Sequence, residues 1–126
     1  MNRRDRIIQN LLVAQAMVKD LPSSAFTKHL AFYATSVLRD FGPHTCGAAA
    51  CFGGWVAQHP YFKELGIQPD STGAPTMRGK GWGARAISLE LFGDSFMFDG
   101  ARTNLPEKQE VLQRIENALN AALEAA

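Results

Sequence analysis

The amino-acid sequence predicts an all-α protein, a compact single-domain bundle of about five helices around a central helix rich in glycine and alanine. Apolar residues recur at helical spacing near both ends of the chain, as in helices that bury one face. Between them lies a stretch of small residues bounded by prolines. No alternating run is long enough to indicate a sheet. The 126 residues are expected to form one domain, residues 1–126.

The first predicted helix covers residues 3–19. Asn2 followed by Asp5 resembles a capping box at its start. A Leu-Pro-Ser-Ser turn then restarts the chain, and a second helix is expected from these serines to Arg39, so that the two form a helical hairpin. The apolar stripe of the first helix is Ile7, Leu11, Ala14, Val18 and Leu21, widened by Ile8 and Leu12, and that of the second is Phe26, Leu30, Tyr33 and Val37.

The central helix is predicted over residues 46–58, with Thr45 as its N-cap. It should close near Gln58, because the pair His59-Pro60 pushes residue 59 out of the α region. Its three glycines each cost about 1 kcal/mol relative to alanine. The usual compensation is a neighbouring backbone that comes too close for a Cβ atom. We therefore expect the other helices to surround this one.

After the central helix, residues 61–65 are expected to add one turn, closed by Gly66 in the left-handed conformation. Residues 67–83 are rich in glycine, proline, serine and threonine. They are predicted to be the one long loop of the chain, and loops of this length are often functional.

Two further helices complete the prediction. One covers residues 84–92 and ends at Gly93, and Asp94-Ser95 then caps a short turn that carries Phe96, Met97 and Phe98. The last helix opens with Asn-Leu-Pro-Glu at residues 104–107, a capping-box pattern with proline in the first turn. Its predicted stripe is Leu112, Ile115, Leu119, Ala122 and Leu123.

Residues of the types that bind zinc cluster in the middle of the chain, namely His44, Cys46, Cys51 and His59. On a helix, residues 46 and 51 differ by about 140° in direction and about 7.5 Å in rise, so they do not converge on one ion. The same separation disfavours a disulfide. A non-helical start at residues 45–46 would change this geometry. We predict no metal and no other cofactor.

A nucleophilic thiol is the second chemical interpretation of these residues. The dipole at a helix N-terminus would activate Cys46, with His44 or His59 as its base. The sequence places no third residue to orient that base. A structural role, with Cys46 and Cys51 packed beside Trp55, is favoured. No catalytic residue is predicted, and a cysteine-dependent hydrolase or a metal-binding protein remains an open alternative.

The predicted loop and the helix start that follows carry the candidate binding residues. Their Gly-x5-Gly-Lys pattern is one residue longer than a phosphate-binding loop and lacks the following Ser or Thr, so no nucleotide site is predicted. Three cations around a tryptophan suit an anionic surface or the stacking of a base. The other interpretation, a solvated loop that its tryptophan anchors to the domain, is the favoured one. The candidates are Arg78, Lys80, Trp82 and Arg85, which Arg3, Arg4 and Arg6 would extend into a larger patch.

Net charge, the N-terminal residues and the cysteines indicate which partners and which cellular compartment to expect. A net charge of +1 gives no overall field that would attract nucleic acid. The N-terminal residues imitate a secretory signal, but Gln9, Asn10 and Gln15 interrupt the apolar run and no cleavage pattern follows. No run approaches the roughly 18 apolar residues of a membrane span. Two cysteines without a signal favour a reducing cytoplasm, that of the host if the protein is phage-encoded.

Residues 46–56, CGAAACFGGWV, resemble the Cys-Gly-x-x-Ala-Cys-x-x-Gly-Trp helix of a group of small uncharacterised phage and bacterial proteins. In that group a polar loop follows, then a helix ending in Leu-Leu-Gly or Leu-Phe-Gly, an aromatic turn and a C-terminal helix. The counterparts here are residues 67–83, 84–93, 96–98 and 105–125. Ala48 departs from the group, which often has threonine there. The resemblance implies a helical fold and a mobile-element or accessory origin, and no particular activity.

Taken together, the sequence favours a non-enzymatic protein-binding module, a modulator or inhibitor of a host or defence protein. This hypothesis depends on the lack of a convincing catalytic set and on the basic loop around Trp82. The partner is then a protein. A nucleic-acid-binding accessory protein that uses the same loop is the alternative from another class.

Overall fold

The computed structural model describes residues 2–22, 52–70, 75–98 and 106–124. These ranges are mostly helical and contain a small two-stranded sheet. The predicted second helix, residues 44–51 of the central stretch and the Asn-Leu pair before the last helix lie outside them. The elements are helices α1 (Arg3–Asp20), α2 (Phe52–Gln58), α3 (Pro60–Glu64), α4 (Ala84–Phe92) and α5 (Glu107–Glu124), with strands β1 (Ile67–Pro69) and β2 (Pro75–Met77).

Helix α1 begins as predicted. The Asn2 side chain accepts a hydrogen bond from the backbone N–H of Asp5 at 2.8 Å, which satisfies one of the unpaired donors of the first turn. The predicted stripe is buried at Ile7, Leu11, Ala14 and Val18. Leu12 is 47% exposed, so widening the stripe on that side was wrong. Leu12 lies about 100° further round the helix than Leu11, and the buried face extends the other way, to Asn10 and Met17.

The described part of the predicted central helix ends at Gln58, as expected. His59 is extended, with φ −74° and ψ 132°, because Pro60 follows it. Proline then occupies the first position of α3, where its missing N–H has no cost. Gly53 and Gly54 of α2 are both buried. Helix α2 packs against α3 and against both strands, so a sheet provides part of its surroundings.

The sheet contradicts the prediction of one long loop over residues 67–83. Strands β1 and β2 pair antiparallel, with Ile67 opposite Met77 and Pro69 opposite Pro75. The Thr76 hydroxyl donates to the carbonyl of Gln68 at 2.7 Å. Each strand has three residues and a proline at one end, which is too short for an alternating pattern to show in the sequence. The fold is therefore predominantly helical, and the all-α prediction missed this hairpin.

Glycines end two elements where the sequence predicted them. Gly66 (φ 98°) follows α3 and Gly93 (φ 73°) ends α4, both in the left-handed region. The end of α4 also lies close to α1, because a Cβ atom on Gly93 would approach the Ile7 side chain to 3.2 Å. The predicted cap after Gly93 is present, since the Asp94 carboxylate accepts from the N–H of Phe96 at 2.7 Å.

The core forms where α1 packs against α4 and α5 and where phenylalanines from several elements meet. Ring centroids of Phe92 lie 5.8 Å from Phe52, 5.8 Å from Phe62 and 5.9 Å from Phe98, within the range of favourable aromatic pairs. On α5, Ile115 is buried as predicted, but Leu123 is exposed. Val111 and Ala118 complete the buried face instead.

A buried polar bridge joins three helices. The Tyr61 hydroxyl on α3 donates to the side-chain oxygen of Asn10 on α1 at 2.7 Å. The Asn10 amide in turn donates to the backbone carbonyl of Leu91 on α4 at 2.9 Å. Burial raises the pKa of Tyr61 above its ordinary value of 10.0, which keeps the phenol protonated as a donor. Because Asn10 is 6% exposed, water cannot readily replace these bonds.

We expect Asn10→Ala to lower the free energy of unfolding by about 1–3 kcal/mol, because the tyrosine hydroxyl and the Leu91 carbonyl then lose their partner inside the protein. Tyr61→Phe removes one of the two bonds and should cost less, about 0.5–1.5 kcal/mol. Urea denaturation measures both. Asn117→Ala is the matched control on the exposed face of α5, and it should change stability by less than about 0.5 kcal/mol. Equal stability of the Asn10 and Asn117 variants would contradict this assignment.

Candidate functional site

The four predicted binding residues lie on one continuous segment, residues 78–85, here called the basic segment. It leaves β2 through a turn in which the N–H of Arg78 donates to Gly66 at 2.8 Å and that of Lys80 donates to Met77 at 3.0 Å. It then runs into the first turn of α4, where Gly83 is the N-cap. Residues 78–83 are all exposed. The segment is thus fixed at both ends and faces solvent between them.

Cations stack on exposed aromatic rings along this segment. The Lys80 ammonium lies 5.5 Å from the centroid of the Trp82 ring, and the Arg85 guanidinium carbon lies 5.0 Å from that of Phe96. Both distances suit cation–π attraction. Trp82 is 38% exposed and Phe96 43% exposed, so neither ring is buried in the core. The other interpretation from sequence, a solvated loop that Trp82 anchors to the domain, stays a prediction, because 38% exposure leaves part of the ring covered.

Phe96 is a site residue that the sequence reasoning treated as part of a capped turn. The signal in the sequence is weak, because one aromatic in a turn is ordinary and its pairing with Arg85 spans eleven residues. The α4 helix and the Asp94 cap together bring the two residues into contact. Sequence spacing alone does not show that the chain after Gly93 turns back so that Phe96 contacts Arg85.

Charge is unevenly distributed in the chain. Residues 71–89 contain Arg78, Lys80 and Arg85 and no aspartate or glutamate. The rest of the chain therefore has 10 of the 13 basic residues and all 12 acidic ones, a net charge of −2. The overall charge of +1 conceals a local charge of +3 in this stretch. An anionic partner would be attracted to this region of the surface more than to the rest.

Arg3 and Arg4 do not join the basic segment. The Arg3 guanidinium lies 3.1 Å from the carboxylate of Glu90 and donates to the carbonyl of Leu89. Arg4 donates to the carbonyls of Ala122 and Leu123 at 2.8 and 3.2 Å. These carbonyls belong to the last turns of α4 and α5, where backbone acceptors lack helical partners and cations are favoured. Arg3 and Arg4 thus lie at the opposite end of α4 from Trp82.

A groove of about 500 Å³ lies at that opposite end. The N-terminal turn of α1 and the C-terminal turns of α4 and α5 form its walls. Its floor is mainly apolar, and its arginines are the ones that bind helix carbonyls. This use of the arginines indicates that they hold the helices together. The lining includes Arg3, Arg4, Ile7, Phe92, Asp94 and Ala122.

His59, a candidate zinc ligand or base, has a capping role in the structure. Its Nδ1 accepts the backbone N–H of Tyr61 at 3.2 Å, which caps α3. Its ring also packs against the edge of Phe62. The other candidates, His44, Cys46 and Cys51, lie outside the described residues. Across residues 2–22, 52–70, 75–98 and 106–124, no group of histidine, cysteine, aspartate and glutamate side chains is placed to hold a metal ion.

Comparison with models of known protein families, with curated proteins and with solved structures finds no match to this chain. Function is therefore inferred from the residues of the chain itself. Within the part of the chain that the structure describes, no helix combines the length and apolar character that crossing a membrane requires. The basic segment is the feature of these residues that combines exposure, aromatic surface and concentrated charge.

We expect the stability of the protein to fall at acid pH partly through His59. Burial lowers the pKa of His59 below its ordinary value of 6.5, because the imidazolium loses hydration in the fold. Unfolding therefore takes up a proton between the folded and unfolded pKa values. The stabilisation is complete above 6.5 and is lost as pH falls through the folded pKa.

Denaturation curves of the wild type and of His59→Asn at several pH values between about 8 and 5 test this. Asparagine keeps an N-cap acceptor but does not titrate. The variant should lose less free energy of unfolding than the wild type over this range. Parallel loss in the two proteins would show that His59 does not contribute.

Proposed function

We propose that this chain is a non-enzymatic protein-binding module through which a phage or mobile element modulates or inhibits a host or defence protein. The observation that supports the proposal is the basic segment, which is fixed at both ends and leaves Trp82 partly exposed, with Lys80 stacked on its ring. Tryptophan and arginine are the residues most often found among the few that dominate binding energy at protein interfaces.

The anchoring of the segment favours tight binding. Its N-terminal end is hydrogen-bonded to Gly66 and its C-terminal end continues into α4. Residues ordered before binding lose less conformational entropy on association, about 0.5–1.5 kcal/mol less per side chain that is already restrained. The stacking of Lys80 on Trp82 restrains both side chains in the same way. The scaffold therefore presents a preorganised surface.

Exposed apolar residues lie close to the segment in the chain or contact it. Leu65 is exposed immediately before Gly66, which accepts a hydrogen bond from Arg78. Leu89 is exposed one helical turn after Arg85, and Phe96 contacts Arg85 from the following turn of chain. Interfaces between separate proteins combine apolar and aromatic area with arginine in this way, and their rims are polar. These residues supply both kinds of contact.

Two further features support the mobile-element part of the proposal. Residues 46–56 resemble a helix of small phage and bacterial proteins. A chain of 126 residues whose cation–aromatic pairs face solvent suits a protein that acts by contact. The partner would be a protein of the bacterial host, met in its cytoplasm.

We expect Trp82→Ala combined with Arg85→Ala to abolish capture of the partner from a lysate of the bacterial host, because both side chains are exposed and would lie in the interface. Affinity capture followed by mass spectrometry identifies what co-purifies with the wild type. The double variant should still unfold cooperatively in a thermal melt, at a melting temperature lowered only by the loss of the two cation–aromatic contacts, about 0.5–1 kcal/mol each at exposed sites.

Arg6→Ala combined with Leu12→Ala is the matched control. It also removes one exposed cation and one exposed apolar side chain, but from α1. This control should retain the captured protein. If the Trp82 variant captures the same proteins as the wild type, the proposal is wrong.

The stacked Lys80 and Trp82 also favour a second candidate function, binding of single-stranded nucleic acid. Exposed aromatic rings beside cations are the platforms on which bases stack in such proteins. Binding of a labelled single-stranded oligonucleotide that weakens steeply with added salt and requires Trp82 would support it over protein binding.

A further inference from the structure

Two glycines in the basic segment are not required by the fold. A Cβ atom placed on Gly81 or Gly83 meets no heavy atom within 4 Å. Neither residue has a left-handed backbone, whereas Gly66 and Gly93 do. Glycine loses more conformational entropy on folding than any other residue, so its presence usually has a compensating reason. The described structure contains no such reason at positions 81 and 83.

The backbone between these glycines has no hydrogen-bond partner within the described parts of the chain. The N–H groups of Gly81, Trp82 and Gly83 make no hydrogen bond to any described residue, and neither do the carbonyls of Gly81 and Trp82. The flanking groups are fixed, since the N–H of Lys80 donates to Met77 and the carbonyl of Gly83 accepts from Ile87. Exposed donors and acceptors that lie between fixed points are available to a second polypeptide. Without a Cβ on either side of Trp82, that polypeptide can approach closely.

We propose that the backbone of residues 81–83 pairs with an extended, acidic segment of the partner protein. This inference rests on the proposed protein-binding function and names the chemistry of the partner. The partner's backbone lies in direct contact with the two glycines and hydrogen-bonds to the groups between them. An apolar side chain of the partner packs on Trp82, and carboxylates on either side of it pair with Arg78 and Lys80. Hydrogen bonds between these cations and carboxylates are charge-assisted and stronger than neutral ones.

Charge and hydrogen-bond chemistry favour a peptide over a nucleic acid. Residues 71–89 contain three cations and no acidic residue, which matches an acidic partner of either kind. The carbonyls of Gly81 and Trp82 have no partner among the described residues and can accept hydrogen bonds, and a peptide backbone offers donors and acceptors in alternation. Phosphate oxygens offer acceptors alone, and the donors of DNA lie on its bases and not along its backbone. The net charge of +1 over the whole chain is also small for a nucleic-acid binder.

Selection of a displayed library of random peptides on the immobilised full chain tests this inference. We expect the enriched peptides to alternate acidic and apolar residues. Their dissociation constants are then measured by fluorescence anisotropy with synthetic, labelled peptides. Gly81→Ala and Gly83→Ser should each weaken binding about tenfold or more, a loss of about 1.4 kcal/mol, because the added Cβ blocks the approach of the peptide backbone.

The same two variants should keep or slightly raise the melting temperature. Neither position is sterically restricted, and replacing glycine there reduces the entropy of the unfolded chain. Serine is also a good N-cap for α4 at position 83. Gly93→Ala is the opposite control. It should lower the melting temperature, because residue 93 is left-handed and close to Ile7, and it should leave peptide binding unchanged.

Three results would overturn the inference. These are an absence of enriched peptides, enrichment of peptides without acidic residues, and wild-type affinity in both glycine variants. Binding of a thymidine oligonucleotide that the glycine variants lose would also overturn it and assign the segment to nucleic acid. Partner capture that depends on Trp82 and Arg85 but not on the glycines would leave the proposed function intact while this inference fails.

Discussion

The packing of α1 against α4 and α5 is the contact on which the described parts of the structure depend. It brings the first helix of the chain against the two helices of its C-terminal half. Apolar burial supplies most of the stabilisation, since Leu11, Val18, Ile87 and Ile115 are fully buried there. The polar bridge through Asn10 sets the alignment, because its hydrogen bonds to Tyr61 and to the carbonyl of Leu91 are made in one register of the helices. Arg3 and Arg4 add hydrogen bonds to carbonyls at the ends of α4 and α5.

This packing explains how the exposed segment is held. Helix α4 is fixed to α1 at its C-terminal end, where Gly93 lies against Ile7. Its N-terminal end is then free to present Gly83 and Trp82 to solvent, while the hairpin of β1 and β2 fixes the other end of the segment. The hairpin itself packs on α2, whose glycines are buried. Helix α2, with its buried glycines, and the exposed Trp82 are thus connected through the two short strands.

Charged side chains have different surroundings at the two ends of α4. At the C-terminal end of α4, Arg3 and Arg4 of α1 donate to helix carbonyls, and Arg3 also pairs with Glu90. These charges stabilise the fold. The charged residues near the N-terminal end of α4 stack on Trp82 and Phe96, and the rings stay exposed. Arginines that the sequence alone would place in one basic patch therefore have different physical roles. Burial and hydrogen-bond partners distinguish them, and neither is visible in the order of residues.

The sequence by itself determined the positions of α1 and α4, the end of α2 at Gln58, the left-handed Gly66 and the end of α4 at Gly93, because caps, prolines and helical periodicity act within a few residues. It also predicted Trp82 and its neighbouring cations as candidate binding residues. Only the tertiary structure decided the pairing of β1 with β2, the exposure of Leu12 and the contact of Arg85 with Phe96. These depend on which elements meet in space. Two three-residue strands and a partly apolar helix face are compatible with several strand pairings and packing arrangements. The packing of the whole chain selects one of them.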